Sequence, residues 1–70
     1  MEIVFTMHAE YRILKRNILK QEVIEAIRYP DLTFKKHGKY YYKKAMDRGK
    51  IEVVCEKTEN NIKVVTLYWV

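Results

Sequence analysis

The chain contains no serine, a single cysteine and only two glycines, and each shortage removes a class of protein. Without serine there is no serine nucleophile. Cys55 has no second thiol to pair with, so the disulfide frameworks of small secreted domains are excluded and a reducing, cytoplasmic setting is the expectation. Cys55 sits in a valine-rich run and reads as a small core residue rather than a nucleophile. Gly38 and Gly49 cannot build a glycine-rich phosphate loop. No apolar run approaches the ~20 residues of a membrane span. The first residues, Met1-Glu2-Ile3-Val4-Phe5-Thr6, lack the basic-then-apolar order of a signal peptide. No membrane partner is therefore expected. His8 and His37 lie far apart without an acidic cluster beside either, so no metal site and no cofactor is expected.

What is present is a globular balance. About half of the 70 residues are hydrophobic (49%) and a third are charged (33%), too apolar for a disordered chain. A chain this short buries only about 60% of its unfolded surface. A thin core makes a homodimer or a stabilising partner chain plausible.

The net charge of +5 is concentrated. Residues 1–30 hold five Lys/Arg against four Asp/Glu, residues 51–70 two against three, and residues 31–50 seven against two. Charge clustered in this way attracts a polyanion or an acidic partner.

Glu2 to Phe5 reads as a short strand, and Thr6 can cap the helix that follows. From Met7 to Arg16 the helical period gathers Met7, Tyr11 and Leu14, widened by Ala9 and Ile13, into an apolar face, with His8, Arg12, Lys15 and Arg16 on another side. Asn17 suits the left-handed conformation that ends a helix. A second helix is expected from about Lys20 to Arg28, with Val23, Ile24, Ala26 and Ile27 turned inward and Pro30 stopping it.

Beyond Asp31 three turn signals, His37-Gly38-Lys39, Asp47-Arg48-Gly49 and Thr58-Glu59-Asn60-Asn61, separate strands of about 32–36, 39–46, 50–57 and 62–69. Loops this short make neighbours antiparallel. The last run is apolar on both alternating faces, which predicts a central position in the sheet. The expected fold is α+β: a short N-terminal strand, two helices, then a four-stranded antiparallel β-meander, in one domain spanning 1–70.

Two constellations could carry chemistry. His8, Arg12 and Arg16, four residues apart, form one row on the first helix. A titratable imidazole beside two guanidinium groups suits a phosphodiester reaction. An ordinary solvated helix face would look the same. The second runs from Phe34 to Lys44, where Lys35, Lys36, Lys43 and Lys44 alternate with rings that include Tyr41 and Tyr42. Lysines neutralise phosphates and rings stack on bases, the pairing used for single-stranded nucleic acid. A lysine-protected edge hairpin would share that composition. Three consecutive tyrosines cannot all face the core, however, so at least one ring is left for a ligand.

Phe5-Thr6-Met7-His8-Ala9-Glu10-Tyr11-Arg12, followed by Arg16-Asn17-Ile18, resembles a family of small prokaryotic proteins with the pattern F-T-x-H-A-x-x-R and then R-G-I. Glu22 to Ile27, Ile51 to Val54 and Val64 to Tyr68 extend the likeness over nearly the whole chain. That family looks related to RelE and BrnT toxins, within the barnase-, EndoU-, colicin- and RelE-like group of folds. The resemblance implies a RelE-like fold and a metal-independent endoribonuclease that binds RNA and is neutralised by an acidic antitoxin protein. It assigns His8, Arg12 and Arg16 on the helix, and Thr66 and Tyr68 on the last strand. His8 would act as general acid or base, the arginines would steady charge on the phosphoryl oxygens, and Tyr68 would relay the second proton. Asn17 stands where the family has Gly, and Leu19 stands where a Ser or Thr cap is expected. A non-catalytic RNA- or protein-binding module, or a structural partner subunit, are the alternatives.

Overall fold

The computed structural model of the chain describes residues 2–70. In order come β1 (Glu2–Phe5), α1 (Met7–Arg16), α2 (Lys20–Arg28), β2 (Leu32–Lys36), β3 (Lys39–Met46), β4 (Gly49–Lys57) and β5 (Asn61–Trp69). The α+β class and the meander β2 to β5 follow the expectation from sequence. The sheet has five strands rather than four, in the order β1-β5-β4-β3-β2. β1 pairs parallel with β5, Glu2 opposite Asn61 and Phe5 opposite Val64. The sheet is therefore mixed, and the long return that a parallel pair requires is made by two helices and three strands. β5, expected at the centre of the sheet, lies next to the edge strand β1, and the central strand is β4.

The meander owes its register to its turns. His37 (φ 53°) and Gly38 (φ 76°) both take positive φ between the paired Lys36 and Lys39, the sign pattern of a type I′ turn, whose twist matches that of the strands it joins. Gly49 (φ 143°) follows the Asp47-Arg48 turn, and a Cβ there would meet the Trp69 ring at 3.3 Å. A register shift between Val54 and Cys55 leaves Val65 unpaired on β5.

Both helices lie on one side of the sheet. Ala9, Ile18, Val23, Ala26 and Ile27 pack there against Tyr42, Ile51, Val53, Cys55, Val64 and Leu67. The inward face of α2 is the predicted one for Val23, Ala26 and Ile27, whereas Ile24 is only half-buried and lies outside the core. That of α1 is not the predicted one. Met7, Tyr11 and Leu14 are 89%, 52% and 82% exposed, and the core side is Ala9 with Ile13. Polar ties at both ends of α1 fix this rotation. Thr6 Oγ1 accepts from the Ala9 amide (3.0 Å) and donates to the Val65 carbonyl (3.2 Å), while Trp69 Nε1 donates to the Arg16 carbonyl (2.8 Å). Small Ala9 lets the backbone of α1 come close to β5.

Leu19 has no oxygen with which to cap α2, and Glu22 takes over that task. Its Oε1 accepts from the Leu19 amide at 2.9 Å, and Arg48 grips the same carboxylate at 2.6 Å while donating to the Asn17 carbonyl at 3.0 Å. The turn between β3 and β4 thus secures the junction of the two helices.

Two outcomes follow from this packing. Leu67→Ala should cost about 2–5 kcal/mol in chemical denaturation, as buried leucines do, whereas Leu14→Ser should stay within about 0.5 kcal/mol; equal losses would mean that the outer face of α1 is packed. The hydrogen bond from Arg48 holds the Glu22 carboxyl below its usual range. A depressed folded pKa gives stability that is present above the unfolded value and lost as pH falls through the folded one. A Glu22→Gln variant should therefore show a flatter acid limb in a pH series of thermal melts than the wild type, and an unchanged limb would contradict the assignment.

Candidate nucleic-acid interface

Side chains alternate across a sheet, so residues between the core positions emerge on the side without helices. Three rows cross that side from β5 to β2. One is Thr66, Val54, Tyr41 and Phe34; the next is Tyr68, Glu52, Lys43 and Leu32. The third is Lys63, Glu56, Lys39 and Lys36, in which Glu56 is paired with Lys39 at 3.2 Å and Lys63 at 3.9 Å. The face is aromatic in the middle and cationic around it.

The Phe34 and Tyr41 rings stack across the β2–β3 pair, their centroids 4.9 Å apart and their planes within 1°. Lys43 Nζ lies 5.9 Å from the Phe34 ring. Beside them a cleft of about 380 Å³ is lined by Asp31, Leu32, Lys43, Lys50 and Val70. Lys43 and Lys50 bring two cationic side chains to that cleft and Asp31 one acidic side chain.

Glu52 was not among the residues singled out from sequence. It is 6% exposed, sits on the middle strand and, among the described residues, makes no ion pair. Its cross-strand neighbours are Lys43 and Tyr68. Burial pushes the Tyr68 phenol up, and the charge of Glu52 and a hydrogen bond to it add to that rise. Tyr68 thus stays a neutral donor beside a carboxylate. The signal in the sequence was one acid inside the apolar run Ile51-Glu52-Val53-Val54-Cys55; Lys50 and Lys63 carried no comparable mark.

The residues expected to act are divided between the two sides. Lys36, Tyr41, Lys43, Thr66 and Tyr68 share the uncovered face. Tyr42 belongs to the core at 5% exposure, and burial raises its phenol. Lys35 stands on the helix side, 5.3 Å from the Tyr40 ring, which Lys57 approaches at 4.4 Å. Lys44 donates to the Tyr29 carbonyl (2.8 Å) and pairs with Asp31 (3.9 Å). On α1, Arg12 Nε donates to His8 Nε2 at 3.3 Å, and the Arg12 guanidinium lies 5.9 Å from the Tyr11 ring. Arg16 ends that helix with its carbonyl held by Trp69. The helix row and Tyr68 therefore stand on opposite sides of the sheet. Cys55 is fully buried, and its thiol is pushed up to about 12 by that burial, which suits a core residue.

Among the described residues no helix is long and apolar enough to cross a membrane, and no three His, Cys, Asp or Glu side chains gather as they would around a metal ion. A family model described as a domain of unknown function, DUF4258, matches residues 5–69. No curated protein and no solved structure matches the chain.

Replacing Glu52 by Gln should lower the midpoint of the Tyr68 phenol in a ¹³C NMR titration. Part of the rise should survive, since burial is its larger cause. A midpoint unmoved by the substitution would separate the two groups.

Proposed function

We propose that this chain, which belongs to the DUF4258 family, binds single-stranded RNA on the uncovered face of its sheet. The observation that carries the reading is the stacked Phe34–Tyr41 pair, set on a sheet face that no helix covers and ringed by Lys36, Lys39, Lys43, Lys50 and Lys63. Rings offer bases a surface of any sequence, and lysines release counterions from the phosphates. An extended strand, whose bases are free to splay, fits a flat sheet better than a duplex does.

Binding is better supported than cleavage. A ribonuclease of the kind the Phe5-to-Arg12 motif suggests would need the His8 imidazole and the Tyr68 phenol on one phosphodiester, and those groups are on opposite sides of the sheet. The kinship with RelE and BrnT toxins, a RelE-like fold and an acidic antitoxin belong to the same proposal. An acidic chain would compete with RNA for the same lysines.

Fluorescence anisotropy with a labelled single-stranded RNA tests the reading. Affinity should fall steeply as salt rises, and replacing both Lys36 and Lys43 by Gln should reduce the slope of log K against log [salt] by about 1.4, at about 0.7 per phosphate contact on single strands. Tyr41→Ala should weaken binding by about 1–3 kcal/mol, the worth of one base–ring stack. An unchanged slope in the double variant would move the patch elsewhere, and no binding at low salt would end the proposal. The RNA should be recovered intact; cleavage abolished by His8→Ala would restore the enzymatic reading.

A further inference from the structure

Glu52 is out of place on a surface made for phosphate. It lies in the row of Tyr68, Lys43 and Leu32, beside the row of stacked rings. Yet the residue is only 6% exposed and, among the described residues, has no cationic partner within ion-pair distance. Its cross-strand neighbour Lys43 could have supplied one. That ammonium instead lies over the Phe34 ring. Unlike Glu56, which Lys39 and Lys63 hold, Glu52 has no cation among the described residues to occupy its oxygens before a ligand does.

We infer that Glu52 reads a base, and that it makes this face selective for guanine in single-stranded RNA. The inference rests on the RNA-binding reading above and adds the substrate class. A carboxylate accepts hydrogen bonds and donates none, so it repels the phosphates and can face only donors, and a 2′-hydroxyl, present on every nucleotide, would leave no base preference. On their Watson–Crick edges, adenine and cytosine set one amine beside a ring nitrogen that accepts, and uracil sets one N–H between two carbonyls. In each case a carboxylate gains one bond and meets a repelling lone pair. Guanine alone presents two neighbouring donors, N1–H and the N2 amine, which match the two oxygens of a carboxylate. Tyr68, directly across from Glu52 on β5, leaves the carboxylate lone pairs to spare for a base.

Access follows from which groups can cover Glu52. No helix packs on this side, so the shield consists of neighbouring side chains, and Lys43 is the long and flexible one among them. A lysine that swings onto a phosphate uncovers the carboxylate as the base arrives. Tyr41 and Phe34 flank the next row and would stack the neighbouring base, while the cleft lined by Lys43 and Lys50 would take the phosphate.

The test measures anisotropy with an all-uridine decamer and with versions carrying one central guanosine, inosine or 7-deazaguanosine. Wild type should bind the guanosine RNA at least about fivefold more tightly than the uridine RNA, at the low end of what a bidentate base contact provides. Inosine, which keeps N1–H but lacks the N2 amine, should fall between them. 7-Deazaguanosine keeps both donors and should match guanosine. In Glu52→Gln the preference should drop to near parity, because the amide nitrogen opposes one guanine donor. Uridine-RNA affinity should be no weaker than in wild type, since a charge that repels phosphate is gone. Binding of all four RNAs with equal affinity by wild type overturns the inference and leaves the RNA-binding reading intact. So does a preference that inosine retains in full, that 7-deazaguanosine loses, or that Glu52→Gln keeps. No binding of any of the four sinks both. The base-analogue comparison uses wild type alone, so a poorly folding variant would not obscure the outcome.

Discussion

β4 is shielded on both of its faces although helices cover only one of them. Ile51, Val53 and Cys55 point into the core under α1 and α2, while Glu52 and Val54 point the other way and are still only 6% and 4% exposed. Two helices of ten and nine residues cannot cover both sides of a five-stranded sheet. The uncovered side has to shield its middle strand with its own side chains. These must be apolar where they lie on the sheet and polar where they meet water, a demand that tyrosine and lysine satisfy along their own length. The stacked pair, the lysine stems and Tyr68 are all answers to that one constraint.

Ends of elements were legible in the sequence because single residues decide them. Thr6 caps α1 through its hydroxyl, Asn17 ends it in the left-handed region (φ 55°, ψ 48°), and His37-Gly38 makes the two-residue turn. Three features were not legible. Where β1 pairs depends on a strand some 60 positions away, and a four-residue apolar run carries no address. The roll of α1 is set by bonds to Val65 and from Trp69, and these outweigh the larger apolar area of Met7, Tyr11 and Leu14. The start of α2 was expected at Lys20 and lies there, but the tie that secures it without a cap at Leu19, Arg48 arriving from another turn, was not.

Charge behaves similarly. The run of basic residues in 31–50 looks like one patch in sequence, but the pleat divides it. Lys36, Lys39, Lys43 and Lys50 go to the uncovered side and Lys35 and Lys44 to the other, where Lys44 is held by Tyr29 and Asp31. Lys63, from outside the run, joins the first group through Glu56. The field on the uncovered side is therefore assembled by pairing register, and a slip of one residue in β3 would send Lys39 and Lys43 to the helix side and Lys44 to the other.

Trp69 is the sole tryptophan of the chain. Its indole N–H is bonded to the end of α1, and the Arg48 guanidinium lies 5.4 Å from its ring. The ring faces the helices, with the thickness of the sheet between it and Tyr41, Tyr68 and the lysines. Emission excited selectively at Trp69, beyond tyrosine absorption, is in consequence an optical gauge of helix docking, while the tyrosines of the uncovered face report on that face. The Trp69 signal will respond when the junction of α1 and α2 loosens and stay nearly blind to whatever occupies the opposite face, so that folding and occupancy can be followed in one cuvette as separate signals.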